Sequence, residues 1–129
     1  MSDISTGNKS HIGVITNWNY NDGNDASQFL WSTTDSVNMV IDFAELHNIQ
    51  NPDMNKTDVL SCNSLTIAFK DTDAGFVFLK KTKKGLSPVF NSVVGVPNGT
   101  TSIDVGFSFN GIKLMCPSGT KYRFVADIF

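Results

Sequence analysis

The chain has 129 residues and a mass of 14.1 kDa, enough for one domain and tight for two. Phe (10), Val (11), Ile (9) and Thr (11) dominate, against five Ala, two Gln and one Glu, a balance that excludes a helical bundle or coiled coil. Ten Lys and Arg against 12 Asp and Glu give a net charge of −2, and Arg123 is the only arginine, so nucleic acid is not an expected partner.

Residues 1–10 read as a flexible N-terminal segment and residues 11–129 as a single β-sandwich domain. From His11 to Tyr20 the even positions Ile12, Val14, Thr16, Trp18 and Tyr20 form an apolar face, which leaves Asn17 and Asn19 toward water. Residues 21–26 are a turn cluster, and Gln28 to Thr33 is a short strand with Phe29 and Trp31 on one side. Val37, Met39, Ile41 and Phe43 then alternate with Asn38 and Asp42 as a further inward-facing set. Residues 44–50 read equally as a short helix, stopped by Asn51 and Pro52, or as part of a long loop.

Alternation resumes at Leu65, Ile67 and Phe69, breaks at Asp71–Gly75, and gives way to the dense apolar run Phe76–Leu79. Lys80 and Lys81 close that run, and Lys83-Lys84-Gly85 reads as a turn. Val89 to Val96 is another strand candidate, ended by Pro97-Asn98-Gly99. Ile103 to Phe109 alternates again and is followed by Asn110-Gly111, the favoured pair for a two-residue hairpin turn. That turn predicts Phe109 opposite Ile112, Phe107 opposite Leu114 and Val105 opposite Cys116, all on one face, with Cys116 in the core. The last strand, Thr120 to Ile128, puts Tyr122, Phe124, Ala126 and Ile128 inside. About eight short strands with turns between them predict an all-β fold, an antiparallel β-sandwich or jelly roll, with a barrel as the alternative closure.

Chemistry is sparsely marked. His11 and His47 are the only histidines, and neither sits in a nucleophile, metal-pair or phosphate-loop pattern, so the expectation is a protein that is not an enzyme. Cys62 and Cys116 read as two buried thiols, with one disulfide closing a long loop as the alternative. Asn21–Asp25 and Asp71-Thr72-Asp73 cluster the oxygen ligands that calcium prefers, yet neither follows the helix-loop-helix calcium pattern, and plain turns use the same residues. No other cofactor is implied.

The richest patch is Asn17–Asp25, where Trp18 and Tyr20 neighbour amides and carboxylates, the parts of a sugar site. The expected ligand-binding residues are Asn19, Asn21, Asp22, Asn24 and Asp25, with Trp18 assigned to the core. Three readings follow: a lectin-like carbohydrate-binding module, a self-assembling coat or inclusion subunit, and a peripheral binder of anionic lipid through Lys80, Lys81, Lys83 and Lys84. Expected partners are carbohydrate or protein, including a second copy in a homo-oligomer. No apolar run approaches the length of a transmembrane segment, and the first ten residues lack a charged-then-apolar leader. The expected location is therefore cytoplasmic, or outside the cell after release without a standard signal peptide.

Overall fold

The computed structural model describes residues 13–17, 31–50, 61–89 and 93–128. These build two antiparallel sheets. One contains β1 (Gly13–Thr16), β2 (Ser32–Thr33), β4 (Cys62–Phe69), β8 (Gly99–Phe109) and β10 (Lys121–Ile128). The other contains β3 (Val40–Asp42), β5 (Ala74–Thr82), β6 (Gly85–Pro88), β7 (Val94–Val96) and β9 (Gly111–Met115). A single helix among the described residues, α1 (Phe43–Gln50), follows β3 directly.

Each sheet has four strand positions, because two short strands share one edge. β1 and β2 both lie along β10, at Val125–Ile128 and Lys121–Tyr122, while β6 and β7 both lie along β5. The pairs then nest from outside in: β1 and β2 with β10, β3 with β9, β4 with β8, β5 with β7. The chain is a long antiparallel ribbon folded near its middle and rolled, so that β10 meets β4 and β9 meets β5. That is a jelly roll, one of the two predicted forms of the sandwich.

Pairing decides which side chains face inward, since directly opposed residues share a face. Tyr122, Phe124 and Ala126 lie opposite Phe69, Ile67 and Leu65, and all six are buried. Across the sandwich Phe76 and Phe78 oppose Leu114 and Ile112, again all buried. The aromatic rings join the two layers: Phe78 and Phe109 have centroids 4.6 Å apart, Phe43 and Phe109 5.8 Å, and Phe43 and Phe124 6.4 Å. Such contacts each add about 0.5–1.5 kcal/mol beyond the area they bury.

Four crossings between the sheets stack at one end. Thr34 accepts the Gly119 N–H on its carbonyl and the Thr120 N–H on Oγ1, and its own N–H donates to the Thr120 carbonyl. Lys70 N–H donates to the Lys121 carbonyl. Asn98 and the 71–73 turn are tied reciprocally: Asn98 N–H donates to Asp73 Oδ1 at 2.7 Å, and Asp71 N–H donates to Asn98 Oδ1 at 3.0 Å.

The structure corrects four expectations. Asn110-Gly111 is not a hairpin turn, because β8 pairs with β4 in one sheet and β9 with β3 and β5 in the other. Neither residue has positive φ, which the predicted turn type requires at both. The inward residues named for the hairpin still face the core, but from opposite sheets. Secondly, β1 turns Ile15 inward and leaves Val14 52 % exposed, the reverse of the even-position face. Ile15 lies opposite buried Ala126, and that register fixes the parity whatever the number of β-branched residues on the other side. Thirdly, Asn17 is half-buried against β10 and does not point to water. Fourthly, Val37 is 66 % exposed, since β3 begins only at Val40 and Asn38 takes a left-handed conformation at φ 52°.

Candidate functional site

Asp42 ends β3 and caps α1. Its Oδ1 accepts N–H bonds from Ala44 at 3.0 Å and Glu45 at 3.4 Å, satisfying two of the donors that a helix start leaves open. Glu45 in the first turn favours the positive end of the helix dipole. The helix packs on β1 and β3, the edge strands of opposite sheets. Phe43 and His47 point inward, at 0 % and 4 % exposure, while Glu45 and Ile49 face solvent.

Between α1 and the two sheet edges lies a cleft of about 270 Å³. Its floor includes Ile41, Tyr122 and Phe124, and its polar lining is Asn17, Ser32, Asp42 and Glu45. Asn17 is committed to the fold: Oδ1 accepts the Phe124 N–H at 2.7 Å and Nδ2 donates to the Tyr122 carbonyl at 3.4 Å. The amide thus stands in for a strand residue in the gap between β1 and β2. Asp42 spends one oxygen on the cap. Among the described residues, its second oxygen, the Glu45 carboxylate and the Ser32 hydroxyl make no side-chain hydrogen bond. Burial, then the charges of Asp35 and Cys116, push the Tyr122 phenol above its ordinary value, so it remains a protonated donor at neutral pH. On the outer face of the same sheet the Arg123 guanidinium sits 3.9 Å from the Trp31 ring centroid, a cation–π contact just before β2.

The expected ligand-binding residues Asn19, Asn21, Asp22, Asn24 and Asp25 lie outside the described residues, as do Trp18 and Tyr20. Asn17 and Ser32, on either side of that stretch, are described and both line the cleft. Sequence reading missed Asp42 and Glu45. The available signal was the spacing Asp42-x-x-Glu45 ahead of an apolar-periodic stretch, a capping box in acidic form.

The second acidic cluster is occupied with holding turns together. Asp73 Oδ1 accepts from Asn98, and the Thr72 hydroxyl donates to the Asp73 carbonyl at 3.1 Å. Among the described residues no three His, Cys, Asp or Glu side chains gather as metal ligands would. An open depression of about 320 Å³ at Asp73, Ala74, Gly95, Val96 and Pro97 adds no second titratable group. No helix of the described residues is long and apolar enough to cross a membrane.

Both cysteines are buried and unpaired, in accord with the two-thiol reading. Cys62 donates to the Ser64 carbonyl at 2.9 Å. Burial pushes its thiol up to about 11, the hydrogen bond offsetting only part of that. Comparison of the chain with protein-family models, curated proteins and solved structures gave no match.

The raised thiol has a definite sign. The folded state disfavours the Cys62 thiolate, so its contribution to stability is full below 9.0, the ordinary value, and is lost as pH rises toward about 11. Urea midpoints measured from pH 8 to 11 should therefore fall less in Cys62→Ala than in the parent chain, both at fixed ionic strength. An equal fall in both would mean that Cys62 is not the titrating group.

Proposed function

We propose that the protein is a non-enzymatic binding module whose ligand is a carbohydrate, seated in the cleft between α1 and the β1, β2 and β3 edges. One observation carries this reading: an apolar floor of Ile41, Tyr122 and Phe124 lies beside the Glu45 carboxylate, the second oxygen of Asp42 and the Ser32 hydroxyl, none of which makes a side-chain hydrogen bond among the described residues. Sugars are held by such a division of labour, with C–H faces on an apolar surface and hydroxyls bonded by carboxylate, amide and hydroxyl groups. The 270 Å³ of space suits a single sugar ring and not an extended chain. In this reading Glu45, Ser32 and the free oxygen of Asp42 contact the ligand from the described fold. Asn19, Asn21, Asp22, Asn24 and Asp25 supply further contacts from the segment that starts at Asn17. Asp22 and Asp25 would be the ligands of calcium if binding needs it.

A glycan array with and without chelator tests the assignment. The expected outcome is binding to a restricted set of small glycans, lost in Glu45→Ala combined with Ser32→Ala while far-UV circular dichroism and a cooperative melt show that the fold is kept. Chelator removes it only if calcium takes part. A chain that retains no glycan, or a double variant that binds as the parent does, would overturn the proposal.

A second reading, self-assembly through sheet edges, is favoured by β8. It runs for eleven residues, Gly99 to Phe109, and β4 is its only strand partner among the described residues. A long strand with one free edge is a template for pairing with another chain. Light scattering separates the readings: mass that grows with concentration, and falls when Ser102→Pro blocks the edge, is the outcome expected of assembly. A monomer throughout removes it.

A further inference from the structure

The lysines at the β5–β6 hairpin belong to neither reading, and their arrangement points to a partner of its own. Thr82 opposes Gly85, so the hairpin closes through Lys83 and Lys84, with Gly85 at φ 107° where an L side chain is disfavoured. The turn is held by its own bonds: the Thr82 hydroxyl donates to the Gly85 carbonyl at 2.8 Å, and Lys84 N–H donates to Thr82 Oγ1 at 3.2 Å. At its base Lys81 N–H donates to the buried Asn110 Oδ1 at 2.7 Å. The hairpin is therefore anchored to the core and presents its tip in a fixed direction.

Lys80, Lys81, Lys83 and Lys84 are all exposed. Among the described residues no carboxylate pairs with any of them. Four of the ten basic residues stand on five consecutive positions, so the remaining six face all 12 acidic ones. Among the described residues outside the tip, seven acidic side chains stand against four basic ones, so a negative surface orients this part of the molecule tip first.

The direction of the four side chains selects the kind of surface. Lys80 and Lys81 are successive strand residues and leave opposite faces of the sheet, while Lys83 and Lys84 occupy the turn. They ring the tip and do not form a row. A linear polyanion is tracked by a stripe of basic residues along a groove, but a ring at the end of a hairpin meets a plane. With no arginine in the hairpin, recognition rests on point charges and not on bidentate grip of one phosphate. We infer that the β5–β6 tip docks the protein, end-on and reversibly, on an anionic lipid bilayer.

Sedimentation with vesicles tests this, using phosphatidylcholine alone and phosphatidylcholine containing phosphatidylserine. The full chain should co-sediment only with the anionic vesicles at low salt and be released as ionic strength rises. Each lysine neutralised should weaken partitioning about five-fold. Lys83→Gln with Lys84→Gln should therefore lower it about 25-fold with an unchanged melting temperature, both residues being exposed in a turn. Equal binding to neutral vesicles, no binding to anionic ones, or a double variant that binds as the parent does would overturn the inference. So would tighter retention on heparin or a polynucleotide than on the vesicles, which would give the tip to a linear polyanion.

Discussion

The fold turns on one buried amide. Asn110, 7 % exposed, stands where the chain leaves β8 in one sheet and enters β9 in the other. Its N–H donates to the Leu79 carbonyl at 2.8 Å, its carbonyl accepts the Phe43 N–H at 3.2 Å, and its Oδ1 accepts the Lys81 N–H at 2.7 Å. Its Nδ2 lies 3.5 Å from Ser61 Oγ. Thus one residue satisfies the end of β5, the first turn of α1 and the chain just before β4. A buried donor left without such a partner costs about 1–3 kcal/mol, so the two side-chain bonds, to Lys81 and Ser61, constrain what can stand at position 110. Gly111 completes the crossing for a steric reason. A Cβ there would lie 2.5 Å from the Ile41 carbonyl oxygen and 3.1 Å from Leu86 Cδ1, so only glycine lets β3 approach β9 this closely.

That crossing also explains what was and was not legible in the sequence. Local alternation correctly marked Leu65, Ile67, Phe69, Tyr122, Phe124, Ala126 and Ile128, because strands buried on one face write their period of two directly into the chain. The all-β class followed from the same signal. Partner choice did not. Asn-Gly is a hairpin signal only when the flanking strands have no better neighbours, and here β4 and β5 are better neighbours for β8 and β9. Parity failed in β1 for a related reason: Ile15 is selected by Ala126, a residue more than a hundred positions away. Tertiary pairing overrides local preference wherever the two disagree.

The same logic bears on the candidate site. Asn17 looks like a polar loop residue in sequence, yet its side chain replaces a strand's hydrogen bonds on β10. No single-sequence pattern distinguishes those uses of an amide, since both need the same donor and acceptor. The cleft itself is a product of topology: β1 and β2 share one edge position, α1 fills the space beside them, and Asp42 must both end a strand and start a helix. The lysine turn was legible, because its turn residues and charges are local, but the strand that closes the hairpin, Gly85–Pro88, was not. Nor was the orientation of the turn at the end of an anchored strand.

Replacement of Asn110 by glycine is the most direct test of this account. A two-residue hairpin turn of the predicted type accepts Gly-Gly readily, whereas a crossing held by a buried side-chain amide does not. Urea denaturation of Asn110→Gly should show a loss of at least about 1–3 kcal/mol. A variant as stable as the parent would contradict the crossing and return Asn110-Gly111 to a hairpin.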